Sequence, residues 1–453
     1  MFTVEKIIKA TKGKLLQGNL KGKIAFISTD SRQSHIQGAF LALKGDNFDG
    51  HDFIVSALKL GATCIIVSKT TGFVIPKNIA LIQVKDTTIA LGQLASFKRR
   101  EFNLPVIAVT GSNGKTTTKE MIAWVLSQDA RVLKNEGTKN NHIGLPQALI
   151  QLRKSDDFAV VEIGTNHFGE VAYLARIATS NIGVITNIGQ SHLEFLRNLS
   201  GVFKEKTSLL DNLAKPKIAI LNADDKLLKK VILQQNKGIH VFSFGIEQRS
   251  DFQASKIKFV NDKIKFKINQ KFDFQLSTPG EYNVYNALAA IAVGRIVGLD
   301  YSQIAARLAS FKFPKGRLSL VEFKGTRFID DTYNSNPLSL SCALKALSAI
   351  KCKGRKILIM GDMLELGAQK ESLHRQIAGS ITNTCDSLIT VGALAKLTAL
   401  EAARLGLKKK NIFCCASVSG ARDLLMNKIN PQAADLILIK GSRSMKMEEV
   451  FKI

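Results

Sequence analysis

The hydrophobic pattern divides the chain before any single residue needs a role. Four apolar runs of strand length, Pro105–Thr110, Phe158–Val161, Ile182–Ile188 and Lys217–Leu221, are separated by stretches with helical spacing. A run without polar alternation has no face to offer water. These strands are therefore expected to be buried on both sides, in a parallel sheet flanked by helices. A more β-like patch, Phe252–Leu276, and a helix from Asn283 to Val297 follow. The segment Phe311–Arg317 carries Pro and Gly and marks a boundary. Beyond it, strands at Arg355–Met360, Ser387–Val391 and Asp435–Ile439 alternate with helices again. Upstream, residues 1–85 mix short apolar segments such as Cys64–Val67 with a turn-rich stretch, Lys44–His51. Helical periodicity over Thr87–Phe97, the polar cluster Lys98–Asn103 and then Pro105 read as a join. The expected fold is α/β in three domains, 1–85, 105–313 and 314–453, with a linker over 86–104 and no internal repeat.

Composition changes this picture little. A length of 453 residues suits two to four domains of roughly 100–200 residues each. Hydrophobic residues make up 45% and charged residues 22%, enough for real cores in an ordinary soluble chain. Subtracting 37 acidic from 64 basic residues gives +27. The basic residues are dispersed, with short clusters at Lys98–Arg100 and Lys408–Lys410, so the excess reads as solvated lysine faces more than a polyanion groove. Six cysteines (Cys64, Cys342, Cys352, Cys385, Cys414 and Cys415) form no C-x-x-C pair and no zinc spacing, as expected of reduced thiols in a cytoplasmic protein. The opening residues lack a sustained apolar core, so no cleaved signal peptide is expected. No apolar run approaches the ~18 residues of a membrane span. Fibrous, disordered, secreted and transmembrane classes fall away on this reading.

Candidate chemistry begins at Val106–Thr117, where a buried strand runs into Gly111-Ser112-Asn113-Gly114 and then into Lys115-Thr116-Thr117 on a helix. Glycines let backbone N–H groups converge on phosphate oxygens, and the helix N-terminus adds its positive end. Lys115 is placed to neutralise β/γ-phosphate charge and the Thr116 hydroxyl to bind Mg²⁺. The usual first glycine of this motif is replaced by Val109. ATP or GTP is the expected ligand. Glu162 ends one apolar run and His192 follows another, so both belong at carboxyl ends of parallel strands, where α/β sheets bind ligands. A carboxylate there can hold Mg²⁺, which prefers oxygen. A structural imidazole is the plain alternative for His192, and a capping carboxylate for Glu162. Lys204 and Lys206 sit on an expected helix, Val202–Leu210, and by composition alone are solvated lysines.

Longer co-linear strings make the chain similar to the Mur ligases. Thr110–Met121 resembles their ATP loop, Asn140–Pro146 a substrate-domain segment, and Glu162–Asn166 and Ser191–Glu194 their metal-binding stretches. Tyr282–Ala287 and Gly316-Arg317 resemble the segments that hold the nucleotide. Asp330–Pro337, Gly361–Gly367 and Lys440–Glu448 are similar to the C-terminal domain of the branch that adds a dipeptide. The D-N-P-R and D-D-D-P strings usual in members adding diaminopimelate or lysine are absent. Thr29–Arg32 and Asp49-Gly50-His51 resemble the region that receives a UDP group. Gln190-Ser191 stands where Pro-Ala is frequent, Tyr282 where histidine is common, and Thr207-Ser208 where Gly-Glu often follows the lysine.

The resemblance implies a small UDP-binding α/β domain, a central P-loop parallel-sheet domain and a Rossmann-like C-terminal domain. It implies an ATP- and Mg²⁺-dependent ligase joining D-alanyl-D-alanine to UDP-N-acetylmuramoyl-tripeptide in peptidoglycan synthesis. By resemblance Lys115, Lys206 and His192 are catalytic, with Lys206 carbamylated, and Thr116, Glu162, His192 and Lys206 hold the metal. Gly111 to Thr117 with Asn286, Arg317 and Asp331 hold ATP. Ser31, Arg32, Asp49, His51, Asn140, Asn141, Asn334 and Asn336 receive the substrates. A cytoplasmic monomer is expected, without nucleic-acid partners or membrane insertion. The rivals are another Mur-type or folylpolyglutamate-type ligase and a nucleic-acid-stimulated P-loop ATPase. The latter would need a D-E-x-D or D-E-x-H motif, which the chain lacks.

Overall fold

The computed structural model describes residues 1–33, 35–45, 47–70, 74–234 and 238–451. Asp46, within the turn-rich Lys44–His51 stretch, lies outside the described residues. The described residues form four sheets. The first sheet to matter has five strands in the order Lys14–Gln17, Ala80–Gln83, Cys64–Val67, Ala39–Leu41, Ile27–Ser28. All but the outermost pair are parallel.

The central sheet has nine strands. His240–Gly245, Ile218–Asn222, Ile182–Ile185, Val106–Thr110, Phe158–Glu162 and Val132–Lys134 run parallel, in that spatial order. The β-like patch is three strands, Phe252–Val260, Lys263–Ile268 and Phe272–Leu276, whose two hairpin pairs extend one edge antiparallel. Val106–Thr110 is buried at every position, as an uninterrupted apolar run requires. Ile182–Ile185 stops three residues short of the apolar run, because Asn187 leaves the sheet to bond the phosphate loop. The helix Tyr282–Ile296 is almost wholly buried and packs against Lys115–Leu126, the helix that follows the loop. The third unit is a six-stranded sheet, parallel except for the edge hairpin of Ser319–Phe323 with Thr326–Asp331.

Residues 86–104 hold a 14-residue helix, Thr87–Arg100, capped by Asp86. It packs against Val4–Thr11 on one side and against Gly144–Ile150 and Glu170–Ala178 on the other. The polar cluster that suggests solvent is partly interior. Arg99 is buried and donates to the carbonyls of Ala178 (3.1 Å), Phe102 (2.7 Å) and Leu104 (3.0 Å). The five donors of a guanidinium let one charged side chain satisfy several buried carbonyls. Among the described residues no helix is long and apolar enough to cross a membrane.

Candidate functional site

The phosphate loop is held open by its neighbours. Gly111 and Gly114 take φ of +143° and +81°, left-handed values that suit glycine. A Cβ on Gly114 would lie 2.3 Å from Oδ1 of Asn286, and one on Gly111 would lie 1.9 Å from Oγ1 of Thr186. The N–H of Ser112 donates to the Asn187 carbonyl at 2.9 Å, and that of Asn113 to Oδ1 of Asn187 at 3.0 Å. Ser112 Oγ donates to the Gly189 carbonyl at 2.9 Å. Lys115 folds back, its Nζ 3.0 Å from the Gly111 carbonyl and 3.3 Å from that of Ser112. The ammonium thus lies on the loop's own carbonyls, at its mouth.

Glu162 closes its strand at the same sheet edge and is buried. Its Oε1 accepts from Asn140 at 2.6 Å, while its Oε2 is buried with no hydrogen-bond partner. An orphaned buried carboxylate oxygen is costly unless a cation completes it. Lys206, from the helix Leu199–Asp211, is 1% exposed, whereas Lys204 on the same helix is exposed. Burial, then repulsion from Lys115, pushes the Lys206 amine well below its ordinary pKa, with Glu205 and Glu162 opposing. Lys115 is lowered too, first by burial and also by Arg317, while Glu162 opposes. His192 adopts φ +52°. Its Nδ1 lies 2.7 Å from Oε2 of Glu365 but makes no aligned hydrogen bond. Burial, Lys115 and Lys206 lower its pKa against the pull of Glu365, which favours the neutral imidazole a metal needs.

Thr116 Oγ1, the Glu162 carboxylate, His192 and Lys206 are therefore gathered around Lys115. Among the described residues no group of three or more His, Cys, Asp and Glu side chains forms a metal cage. An incomplete set with one orphaned oxygen fits Mg²⁺, which keeps waters and substrate oxygens in its shell.

The C-terminal unit supplies the opposite wall of the same cavity, about 720 Å³ in volume. Arg317 donates to Oγ1 of Thr116 at 3.2 Å and stacks 3.7 Å over the Tyr333 ring. Asp331 pairs with Lys440, its register partner on the adjacent parallel strand, and accepts from the Leu318 N–H at 3.2 Å. Asn336 caps the helix Pro337–Ala349 and donates to Oδ1 of Asn113 at 2.8 Å, joining the two units at the loop itself. Asn286, Thr117, Asn140 and Asn334 also line the cavity.

Other expected substrate residues lie elsewhere. Asn141 turns its Oδ1 to the N–H groups of Ile143 (3.2 Å) and Gly144 (2.9 Å) at the start of a helix. Ser31, Arg32, Asp49 and His51 sit in the first unit, away from the cavity. Arg32 is 87% exposed and bonded to Asp30. His51 is buried, with its ring on Asp49 and the Ser68 N–H donating to its Nε2 at 3.0 Å. Burial alone would raise the Asp49 carboxyl, but Lys69 and His51 hold it well below the usual range. Glu365, Lys440 and Tyr333 line the cavity without having been assigned roles. Lys440 carried a signal, because it ends an apolar strand run in the manner of Glu162.

Residues 109–294 match the family model for the Mur ligase middle domain, and 316–443 that for the Mur ligase, glutamate ligase domain. Residues 23–99 match the model for the Mur ligase family, catalytic domain. The chain is 34% identical to the UDP-N-acetylmuramoyl-tripeptide--D-alanyl-D-alanine ligase of Bacillus subtilis (strain 168), covering 99% of this chain and 97% of the relative. It superposes on a crystal structure of MurF from Acinetobacter baumannii with a TM-score of 0.90 and 32% identity, over 99% and 97% of the two chains. MurF ligase from Thermotoga maritima, in complex with ADP, matches with a TM-score of 0.83 and 28% identity, over 94% and 96%. With whole-length identity above 30%, matching family models along the chain and a shared three-unit architecture, this chain belongs to the Mur ligase family.

Proposed function

We propose that this chain is an ATP-dependent ligase that joins D-alanyl-D-alanine to UDP-N-acetylmuramoyl-tripeptide, forming the pentapeptide precursor of peptidoglycan. The observation that carries the chemistry is one cavity with the Gly111–Thr117 loop and Glu162 on one wall and Arg317 and Asp331 on the other. The relatives' substrates supply the specificity.

A carboxylate is a poor electrophile, so its oxygen must first attack the γ-phosphorus of ATP, expelling ADP and giving an acyl phosphate. Phosphoryl transfer asks mainly for positioning and charge neutralisation. Lys115 moves from the loop carbonyls to the phosphates, and Arg317 meets them from the facing unit. Asn286, tied to Thr118 Oγ1 at 3.1 Å and to Asn283 at 2.8 Å, is assigned to the adenine end by resemblance, and Asp331 to the ribose. Mg²⁺, held by Glu162, Thr116, His192 and carbamylated Lys206, would supply charge neutralisation for the transferring group. Burial favours the neutral amine, the form that attacks CO₂; with loss of one amine proton the resulting carbamate would turn Lys206 into an oxygen donor. The dipeptide amine then attacks the acyl carbon, loses its proton, and the tetrahedral intermediate expels phosphate to leave the amide.

Because the walls come from two units, docking them both completes the site and keeps water from the acyl phosphate. Ser31, Arg32, Asp49 and His51 are assigned by resemblance to the UDP-linked substrate. The reading places the protein in the cytoplasm, where ATP is available, as a monomer. The test is phosphate release from ATP and Mg²⁺ with the UDP-linked tripeptide, with and without D-alanyl-D-alanine. Release that needs both, with the pentapeptide seen by mass, is the expected result. Free amino acids replacing the dipeptide would overturn the specificity, and stimulation by DNA or RNA alone would overturn the enzyme class.

A further inference from the structure

We infer that Glu365 and Arg443 form the subsite for the incoming amine substrate, Glu365 receiving its α-ammonium and Arg443 its terminal carboxylate. This rests on the ligase reading and adds residues to it. A dipeptide arrives as a zwitterion, and burying either charge requires a partner of opposite sign. Among the described residues three side-chain carboxylates line the cavity, Glu162, Asp331 and Glu365. Glu162 is enclosed beside Lys115 and Lys206, and Asp331 is spent on Lys440 and the Leu318 N–H. Glu365 remains, paired with no lysine or arginine: its Oε2 lies 2.7 Å from His192 Nδ1, and its side chain is 47% exposed. The cations sort the same way. Lys115 and Arg317 face the phosphate loop, and Lys440 is taken by Asp331 and the Asn334 carbonyl. Arg443 is 51% exposed and steadied by Glu448.

The backbone fixes these two charges relative to each other. Glu365 and Arg443 lie on loops that leave the carboxyl ends of the adjacent parallel strands Lys356–Gly361 and Leu436–Lys440. The loops are bonded together: Leu364 N–H to Ser442 Oγ at 2.8 Å, and Ser442 N–H to the Asp362 carbonyl at 3.1 Å. Asp362 in turn accepts from Ala395 N–H at 2.6 Å, and Met363 N–H donates to His374 Nε2 at 3.0 Å. Three successive residues are thus anchored. The fourth, Glu365, takes φ +61°, a conformation that costs a non-glycine residue energy and collects at functional sites.

The test uses the full chain with ATP, Mg²⁺ and the UDP-linked tripeptide, and follows amide formation against dipeptide concentration. Glu365→Gln is expected to raise KM for D-alanyl-D-alanine at least tenfold while KM for ATP moves less than threefold, with Glu365→Asp recovering part of the loss. Arg443→Met is expected to raise KM for D-alanyl-D-alanine at least tenfold, yet to leave KM for its C-terminal amide within threefold. Equal losses on acid and amide, or a KM for ATP that rises with that for the dipeptide, would overturn the assignment. Failure of the ligase reading is seen separately, as a wild-type chain that forms no amide, and it removes this subsite as well.

Discussion

Asn135 grips Glu162 by its peptide, accepting from the Glu162 N–H at 2.8 Å and donating to the Glu162 carbonyl at 3.1 Å. The grip is itself held from below. Lys119, fully buried one turn after Lys115, donates to the Asn135 carbonyl at 2.6 Å and the Gly137 carbonyl at 3.2 Å. Asn135→Ala leaves two buried backbone groups of Glu162 unpaired, a loss of about 2–4 kcal/mol. Urea denaturation should show that loss, and a raised Mg²⁺ requirement for turnover should accompany it. A variant as stable and active as wild type would refute the role.

Glu162 is also set from the side-chain end. A Cβ on Gly164 would lie 2.5 Å from Oδ1 and 2.6 Å from Cγ of Asn140, whose amide holds Glu162 Oε1. Gly164→Ala should therefore lower kcat about tenfold or more by displacing Asn140. Asn140→Ala on top of it should add little, because both act through one contact. Fully multiplicative losses in kinetics of the two single variants and the double would separate the residues.

Lys206 and Lys204 make a clean contrast, one buried and one exposed on the same helix. Lys206→Ala should cost roughly 10²-fold or more in kcat, the scale of losing an electrostatic group in a closed site. Lys206→Arg should not restore it, since a guanidinium stays charged. Lys204→Ala should stay within about twofold, as surface changes do. A ¹³C carbamate signal from labelled bicarbonate, absent in Lys206→Ala, is the direct check.

Asp435 ties the C-terminal sheet to the loop before it. It accepts from the Arg355 N–H at 2.7 Å, the Gln432 N–H at 2.9 Å and the Arg355 guanidinium at 2.6 Å. Burial raises its pKa, but these donors outweigh burial and hold the carboxyl below its usual range. A depressed native pKa means the unfolded chain takes up the proton more readily. The stabilisation is thus complete above about pH 4 and is lost as pH falls through the lower native value. Asp435→Asn should cost about 1–3 kcal/mol at pH 7 and flatten the acid limb of stability. Urea midpoints at neutral and acid pH would decide it.

Periodicity carried the strands well: Val106–Thr110, Phe158–Glu162 and Ser387–Val391 lie within a residue of the apolar runs that announce them. The phosphate loop was legible because its chemistry is local, a strand, two glycines and a helix in sequence. Glu162 was legible for the same reason, standing where a buried strand ends. By pattern alone Lys206 was not, since only its burial separates it from Lys204; the family resemblance is what singled it out. Nor were the pairs His192 with Glu365 and Asn113 with Asn336, which depend on how two units meet. Asn141 reads like Asn140 in sequence, yet Asn141 accepts from the Ile143 and Gly144 N–H groups while Asn140 holds a carboxylate.

The helix Thr87–Arg100 bears on how the chain can be cut. A fragment ending at residue 85 would strip Phe97 from Phe2, whose rings sit 6.5 Å apart, and uncover the helix Val4–Thr11. A fragment starting at residue 105 would bare the helices Gly144–Ile150 and Glu170–Ala178 and leave the Ala178 carbonyl without Arg99. The N-terminal and central sheets thus share one helix and are expected to unfold together, so a soluble truncation has to carry this helix together with both of its neighbours.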